Sequence, residues 1–390
     1  MRLLAFAMLG ALAAGPVAAV PCGGSFPAFI AAMKSEAIAA GHAPAKVEAF
    51  FAGAVNDESV LRADHAQGVF RKTFVEFSHS LISRGRLDRA RANAKKYASV
   101  FERARNTYGV PRGILLSFWA FETDFGAVQG NFNTRNALVT LAHDCRRPDI
   151  FQPQVMAALS LYEKGEFDPA TTKGAWAGEI GMVQMLPKDI LERGVDGDGD
   201  GRVTLKTSAP DAIMSAAHML SMFGWHAGQP WLTEVRLPAS FDWAKTGLDH
   251  QMSVAEWEAI GVKPRVGGLP AGSLTASVLL PQGRKGPAFL VYPNYMVLFD
   301  WNKSFIYVTT AAYFATEIEG APAYDVGHPD PALSADEMIA LQKKLMRRGH
   351  DVGKLDGILG AATRTAVQQE QVRLGLPADG WPTQELLGRL

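Results

Sequence analysis

GVPRGILLSFWAFETDFG, residues 109–126, decides the fold. Pro111 can open a helix, because an N–H is not needed in the first turn. From there Leu115, Phe118, Trp119, Glu122 and Phe125 recur at helical spacing, which predicts a core helix with one carboxylate on its apolar stripe. A carboxylate in such a place is costly unless it is paired, hydrogen-bonded or protonated. Asp124, two positions on, is turned away from that stripe. Glu122 is therefore either a structural carboxylate or a functional acid, and geometry alone leaves both readings open.

Working outward, the N-terminus MRLLAFAMLGALAAGPVAAVPCGG has one early Arg, a short apolar run and small residues. This predicts a secretory signal peptide over 1–19, cut after Ala19, and a periplasmic protein. The run is too short for a membrane span of about 20 residues. Two cysteines remain, Cys22 and Cys145. In an oxidising compartment an even pair is expected to bridge, with two unrelated thiols as the alternative. Neither cysteine count nor histidine spacing supports a zinc site. Lys+Arg and Asp+Glu number 39 each, so no bulk field draws the chain to nucleic acid.

Residues 26–108 read as helices: Phe26, Phe29, Ile30 and Met33 share a face before Gly41, and Phe70, Phe74 and Phe77 share another. Beyond Glu122, NALVTLA and 150–164 continue the helical pattern. The segment TTKGAWAGEIGMVQMLPKDI carries Gly174, Gly178 and Gly181, which permit close backbone approach. DGDGDGRVT, 196–204, alternates Asp196, Asp198 and Asp200 as an EF-hand loop does, with Arg202 offering a carbonyl. Thr207 stands where the bidentate Glu belongs. A structural calcium ion is the expectation there, and a solvated turn the alternative. Over 272–318 SLTASVLLP, AFLVYP, YMVLFDW and FIYVTT are predicted as strands of a small antiparallel insert. APAYDVGHPDPAL, 321–333, reads as a flexible linker. Ser334 with Glu337 then caps a helical tail over 334–390 with two DG turns.

FETDFG at 121–126, NALVTLAHDCRR at 136–147, GEIGMVQMLP at 178–187, DGDGDG at 196–201, GPAFLVYPNY at 286–295 and WNKS at 301–304 together resemble the lytic murein transglycosylases of the membrane-bound B type. The tail resembles the peptidoglycan-binding domain of wall hydrolases. The resemblance implies a mainly α, lysozyme-like catalytic domain over 20–320 with a small β insert, and a three-helix wall-binding domain over 334–390. It implies cleavage of the β-1,4 bond between N-acetylmuramic acid and N-acetylglucosamine, with a 1,6-anhydro product. Glu122, its pKa raised by the apolar stripe, would serve as the single acid/base and no cofactor would be needed for the chemistry. Glycan strands are the implied partner, and other cell-wall enzymes are candidates. By the same resemblance Gln184, Gly181, Glu179, Trp301, Asn302 and Tyr292 line the groove, and Asp211 closes the metal loop. Trp301 stands where the family often has Tyr. The alternatives are a muramidase-type hydrolase using Glu179 or Asp124 as second carboxylate, and a non-catalytic wall-binding scaffold.

Overall fold

The structure is a computed structural model that describes residues 20–65 and 72–390. The signal segment 1–19 and Phe70 lie outside the described residues. Among the described residues two compact units emerge, the first made of 20–65, Gly130–Ile180 and Met185–Glu192, the second of 72–129, Gly181–Gln184 and Arg193–Leu390.

In the first unit, helix Thr134–His143 packs on Pro148–Glu163, with Phe26–Ala39, Pro44–Phe51 and Glu58–His65 around them. Asn133 caps the first of these helices by accepting the Asn136 N–H. Arg135, 5% exposed, donates to the carbonyls of Phe50, Ala52 and Gly53, satisfying the open end of Pro44–Phe51. A short antiparallel pair, β1 (Phe132–Asn133) with β2 (Lys173–Gly174), ties the glycine-rich segment to the helix start. Cys22 and Cys145 form a disulfide with a Cα–Cα distance of 5.3 Å. Beside it the Gln152 amide grips both backbone groups of Val20, accepting its N–H at 3.0 Å and donating to its carbonyl at 2.7 Å.

The second unit is built on helix Arg112–Thr123, which is buried on nearly every side from Gly113 to Ala120. Its closest neighbour is helix Phe305–Ile318. Gly113 makes that approach possible, since a Cβ there would lie 2.7 Å from the Ala315 carbonyl. Ser117 donates to the Ala311 carbonyl at 2.7 Å across the same contact. Helices Arg84–Lys96, Ala98–Tyr108 and Ala209–Met222 complete the surround. A five-stranded antiparallel sheet follows, from β3 (Leu232–Arg236), β4 (Met252–Ser253), β5 (Lys263–Pro264), β6 (Thr275–Leu279) and β7 (Phe289–Val291), in the order β4-β6-β7-β3-β5. Its own core holds Trp257, Val278, Leu290 and Tyr292.

Two of the four predicted strands are therefore helices. YMVLFDW lies in Pro293–Trp301 and FIYVTT opens Phe305–Ile318. Both are rich in aromatic and β-branched residues, but Pro293 starts one and Ser304 caps the other. Phe305–Ile318 is apolar on nearly all sides, and a fully buried helix shows no amphipathic period to read.

Helices Ala335–Arg347, Ala361–Arg373 and Gln384–Arg389 form the C-terminal module around Leu341, Leu345 and Val367. The segment before it does not behave as the predicted flexible linker. Tyr324 is buried with its hydroxyl 2.6 Å from Ser78 Oγ, Asp325 N–H donates to Glu234, and Gly327 lies against the Lys285 carbonyl. The module is docked by Arg364, which donates to the carbonyls of Leu280 and Pro281 while lying over the Phe305 ring. No helix among the described residues is long and apolar enough to cross a membrane.

Candidate active site

Glu122 sits one residue before the end of helix Arg112–Thr123 and is half-buried, less enclosed than its place on the apolar stripe predicts. Its Oε1 accepts two hydrogen bonds, from the Trp301 indole N–H at 3.0 Å and the Tyr307 hydroxyl at 2.5 Å. Trp301 ends one helix and Tyr307 lies in the first turn of the next, so the break at 302–304 aims both donors at the same oxygen. Phe118, one turn before Glu122, stacks on Trp301 with centroids 4.5 Å apart and holds its plane. Burial lifts the Tyr307 phenol well above its ordinary range, and the Glu122 carboxylate raises it further. Tyr307 therefore stays protonated and donates.

The helix end is fixed on the far side too. Asp124 and Phe125 both adopt left-handed backbone, with φ of 52° and 63°, at a cost of the order of 1–3 kcal/mol each. Arg86 and Arg89 hold the Asp124 carboxylate at 3.1 and 2.6 Å. Thr123 Oγ donates to the Met182 carbonyl at 2.6 Å, fastening the loop 181–184 to the end of the helix. Gly181 is required there, because a Cβ would lie 2.5 Å from that of Leu205. Gln184, another left-handed residue, donates to the Gly181 carbonyl at 2.8 Å and more weakly to that of Gln129.

The structure thus brings together Glu122, Trp301, Gly181 and Gln184. Tyr292 is a correction: it is 1% exposed in the core of the sheet and bonds Thr233, so it packs rather than touching a ligand. Asn302 is adjacent to Trp301, and its Oδ1 accepts the Ser304 N–H, shaping the break between the two helices. Glu179 belongs to the first unit, where burial pushes its carboxyl up and the Arg147 charge pulls the other way. Asp124 is held by its two arginines. Tyr307 is the residue the sequence reading missed; reading FIYVTT as a capped helix after WNKS would have placed it beside Trp301.

In the acidic loop one carboxylate oxygen from each of Asp196, Asp198 and Asp200 falls within 4.8 Å of the others. Hard oxygens so grouped fit calcium chemistry. Arg202 is exposed and its N–H donates to Asp200. Asp211 departs from its predicted ligand role. It is fully buried, and its two oxygens accept the N–H groups of Gly197 and Thr204, so it anchors the loop to helix Ala209–Met222.

A family model described as "Transglycosylase SLT domain" matches residues 25–316, and one described as "Putative peptidoglycan binding domain" matches 334–390. The membrane-bound lytic murein transglycosylase B of Escherichia coli (strain K12) is 29% identical over 212 residues. That match covers 54% of this chain and only 57% of the relative's own length. SltB3 from Pseudomonas aeruginosa, solved in complex with NAG-anhNAM-pentapeptide, superposes with a TM-score of 0.86 and 35% identity, covering 94% of this chain and 99% of that one. Soluble lytic transglycosylase SltB1 from the same organism gives a TM-score of 0.66 and 27% identity, over 75% of this chain and 99% of that one.

Proposed function

Because the chain belongs to the transglycosylase SLT domain family, we propose that it is a lytic transglycosylase of peptidoglycan that releases 1,6-anhydro-N-acetylmuramic ends. The observation that carries this reading is the single oxygen of Glu122 that receives both Trp301 and Tyr307. Indole is a donor only, and Tyr307 is held protonated, so a proton on Oε1 would face two other hydrogens. The transferable proton is thereby assigned to Oε2, in a fixed direction. Glu122 gives it to the glycosidic oxygen as the C1–O bond breaks. The substrate's N-acetyl oxygen covers the cationic C1. The carboxylate then takes the proton of the C6 hydroxyl as O6 closes on C1, so one bond breaks, one forms and no water is consumed. The ligands of the similar SltB3 complexes, NAG-anhNAM-pentapeptide and NAG-NAM-pentapeptide, support a product and a substrate of this kind.

A hydrolase of the two-carboxylate type needs a base for water. Asp124, clamped by Arg86 and Arg89, does not suit that task, which leaves Glu179 as the rival. An internal hydroxyl held in place enjoys an effective molarity of the order of 10⁵ M or more over water. Murein digested in heavy-oxygen water is therefore expected to give unlabelled muramic ends, one water lighter than hydrolytic ends by mass spectrometry. One heavy oxygen per cut, lost in Glu179→Gln, would make the protein a hydrolase instead.

The catalytic domain is assigned to 20–320 and the wall-binding domain to 334–390. Export through the 1–19 segment accords with the Cys22–Cys145 disulfide, which needs an oxidising compartment. The Asp196, Asp198 and Asp200 cluster is assigned to a calcium ion that stiffens the loop and takes no part in the reaction. Calcium at a hundred times its Kd should then stabilise the protein by about 2.7 kcal/mol and raise Tm, and Asp198→Ala should remove the response. Identical melting in chelator and in millimolar calcium would exclude the site.

A further inference from the structure

Val20 is 8% exposed, and the Gln152 amide holds both of its backbone groups. Val20 and Gln152 also line a cleft of about 480 Å³ whose residues all belong to the first unit. Part of the lining is apolar, from Met33, Met156 and Leu191, and suits the isopropyl group of a valine. The charged groups come from three helices: Glu36 from Phe26–Ala39, Asp149 from Pro148–Glu163, and Lys188 with Glu192 from Pro187–Arg193. Lys188 lies 3.8 Å from Glu192 and offsets it, which leaves the other two carboxylates in excess. His143, whose ring bonds the Gly24 carbonyl, does not line the cleft.

Negative charge gathered around a backbone nitrogen calls for a cation at that nitrogen. The uncut chain has none, because the Val20 nitrogen is an amide whose one hydrogen goes to Gln152 Oε1 at 3.0 Å. Cutting after Ala19 supplies it. A leader peptidase adds water across the Ala19–Val20 bond: the C–N bond breaks, Ala19 keeps a carboxylate, and the Val20 nitrogen becomes an ammonium with three N–H donors. One donor keeps the Gln152 bond and two are new.

We propose that this cleft receives the α-ammonium group created at Val20, so that removal of the leader adds a charge-paired anchor to the fold. The inference rests on the proposed export through 1–19. Burial alone would favour the neutral amine, but the cleft has room for water and its carboxylates act the other way. The α-amino pKa is therefore expected above its ordinary range of about 7.7–8.0. A group raised in this way contributes stability that is fully present below the unfolded pKa and is lost as pH climbs through the folded one.

The test compares the chain beginning at Val20 with the same chain carrying Gly-Ser ahead of it. The extension keeps an amide at Val20 for Gln152 and moves the ammonium two residues away, so it isolates the charge. At pH 7 the Val20 chain is expected to melt about 2 °C or more above the extended one, with the gap closing by about pH 10. An N-hydroxysuccinimide ester should label its α-amine about tenfold more slowly, read by mass spectrometry, and Glu36→Gln with Asp149→Asn should restore most of that rate. Equal melting of the two chains at every pH would overturn the proposal. So would slow labelling that the substitutions leave unchanged, since burial without charge pairing gives that result. N-terminal sequencing of the exported protein should read from Val20, and a cut at any other bond would overturn the proposal as well. A leader left uncut in the cell, beside a Val20 chain that shows both effects, would instead overturn the export reading and leave this site standing.

Discussion

Glu122→Gln is expected to lower murein cleavage by two to four decades, the range in which a positioned proton donor and acceptor contributes. The substitution is a narrow one. Gln keeps the length and plane of the side chain, and its Oε1 can still accept the Trp301 and Tyr307 hydrogens. What it loses is the proton on the other atom, which must leave in the first step and return in the second. Helix Arg112–Thr123 draws its stability from Leu115, Phe118 and Trp119, all 3% exposed or less, so the fold should be retained. Anhydromuropeptide release measured against time, beside an unchanged far-ultraviolet circular dichroism spectrum, separates lost chemistry from lost structure. Release within a factor of a few of wild type would remove Glu122 from the mechanism.

How far the site could be read from the chain depends on how local its determinants are. The acid was legible because its helix has a clear apolar repeat from Leu115 to Phe125, and a carboxylate in such a stripe stands out. The loop 181–184 was legible through its glycines, and Gly181 is indeed a position where a Cβ does not fit. The donors to Glu122 were not equally visible, because they depend on where two helices begin and end. Trp301 stands out in the sequence, but the helices it joins have the composition of strands, and that composition hides Tyr307. Aromatic and β-branched residues favour strands only through the packing they find. Here they line a half-buried helix, Pro293–Trp301, and a nearly fully buried one, Phe305–Ile318, and the signals that decide the matter are Pro293 at a helix start and Ser304 at a cap. Tyr292 erred in the opposite direction. A tyrosine beside a groove motif invites a role in binding, yet the sheet core takes its ring and Thr233 its hydroxyl, and burial pushes it up to about 12. The segment 321–333 shows the same limit of composition: Pro and Ala suggest a free linker, whereas Tyr324 and Leu333 are both buried.

Cys145→Ser is expected to cost about 4–5 kcal/mol of stability, because the Cys22–Cys145 bridge closes a loop with a sequence separation of 123. The estimate comes from the entropy that the bridge removes from the unfolded chain, which grows slowly with loop length. A protein of ordinary stability has about 5–15 kcal/mol in total, so the loss is about a quarter of it at least. Other ties hold the same segment in the folded state: the two Gln152 bonds to Val20, and the Gly23 N–H donated to the His143 carbonyl at 2.8 Å. Each of these is worth about 1 kcal/mol, and none constrains the unfolded chain. They should keep the native N-terminal segment in place without the bridge while leaving the unfolded state free to gain its entropy. The variant is therefore predicted to keep its activity at low temperature and to unfold at a much lower denaturant concentration. Reduced wild type should match it, since reduction frees the same chain. Equal denaturation midpoints for oxidised wild type, reduced wild type and the variant would mean that the bridge ties together ends the fold already holds in the unfolded state.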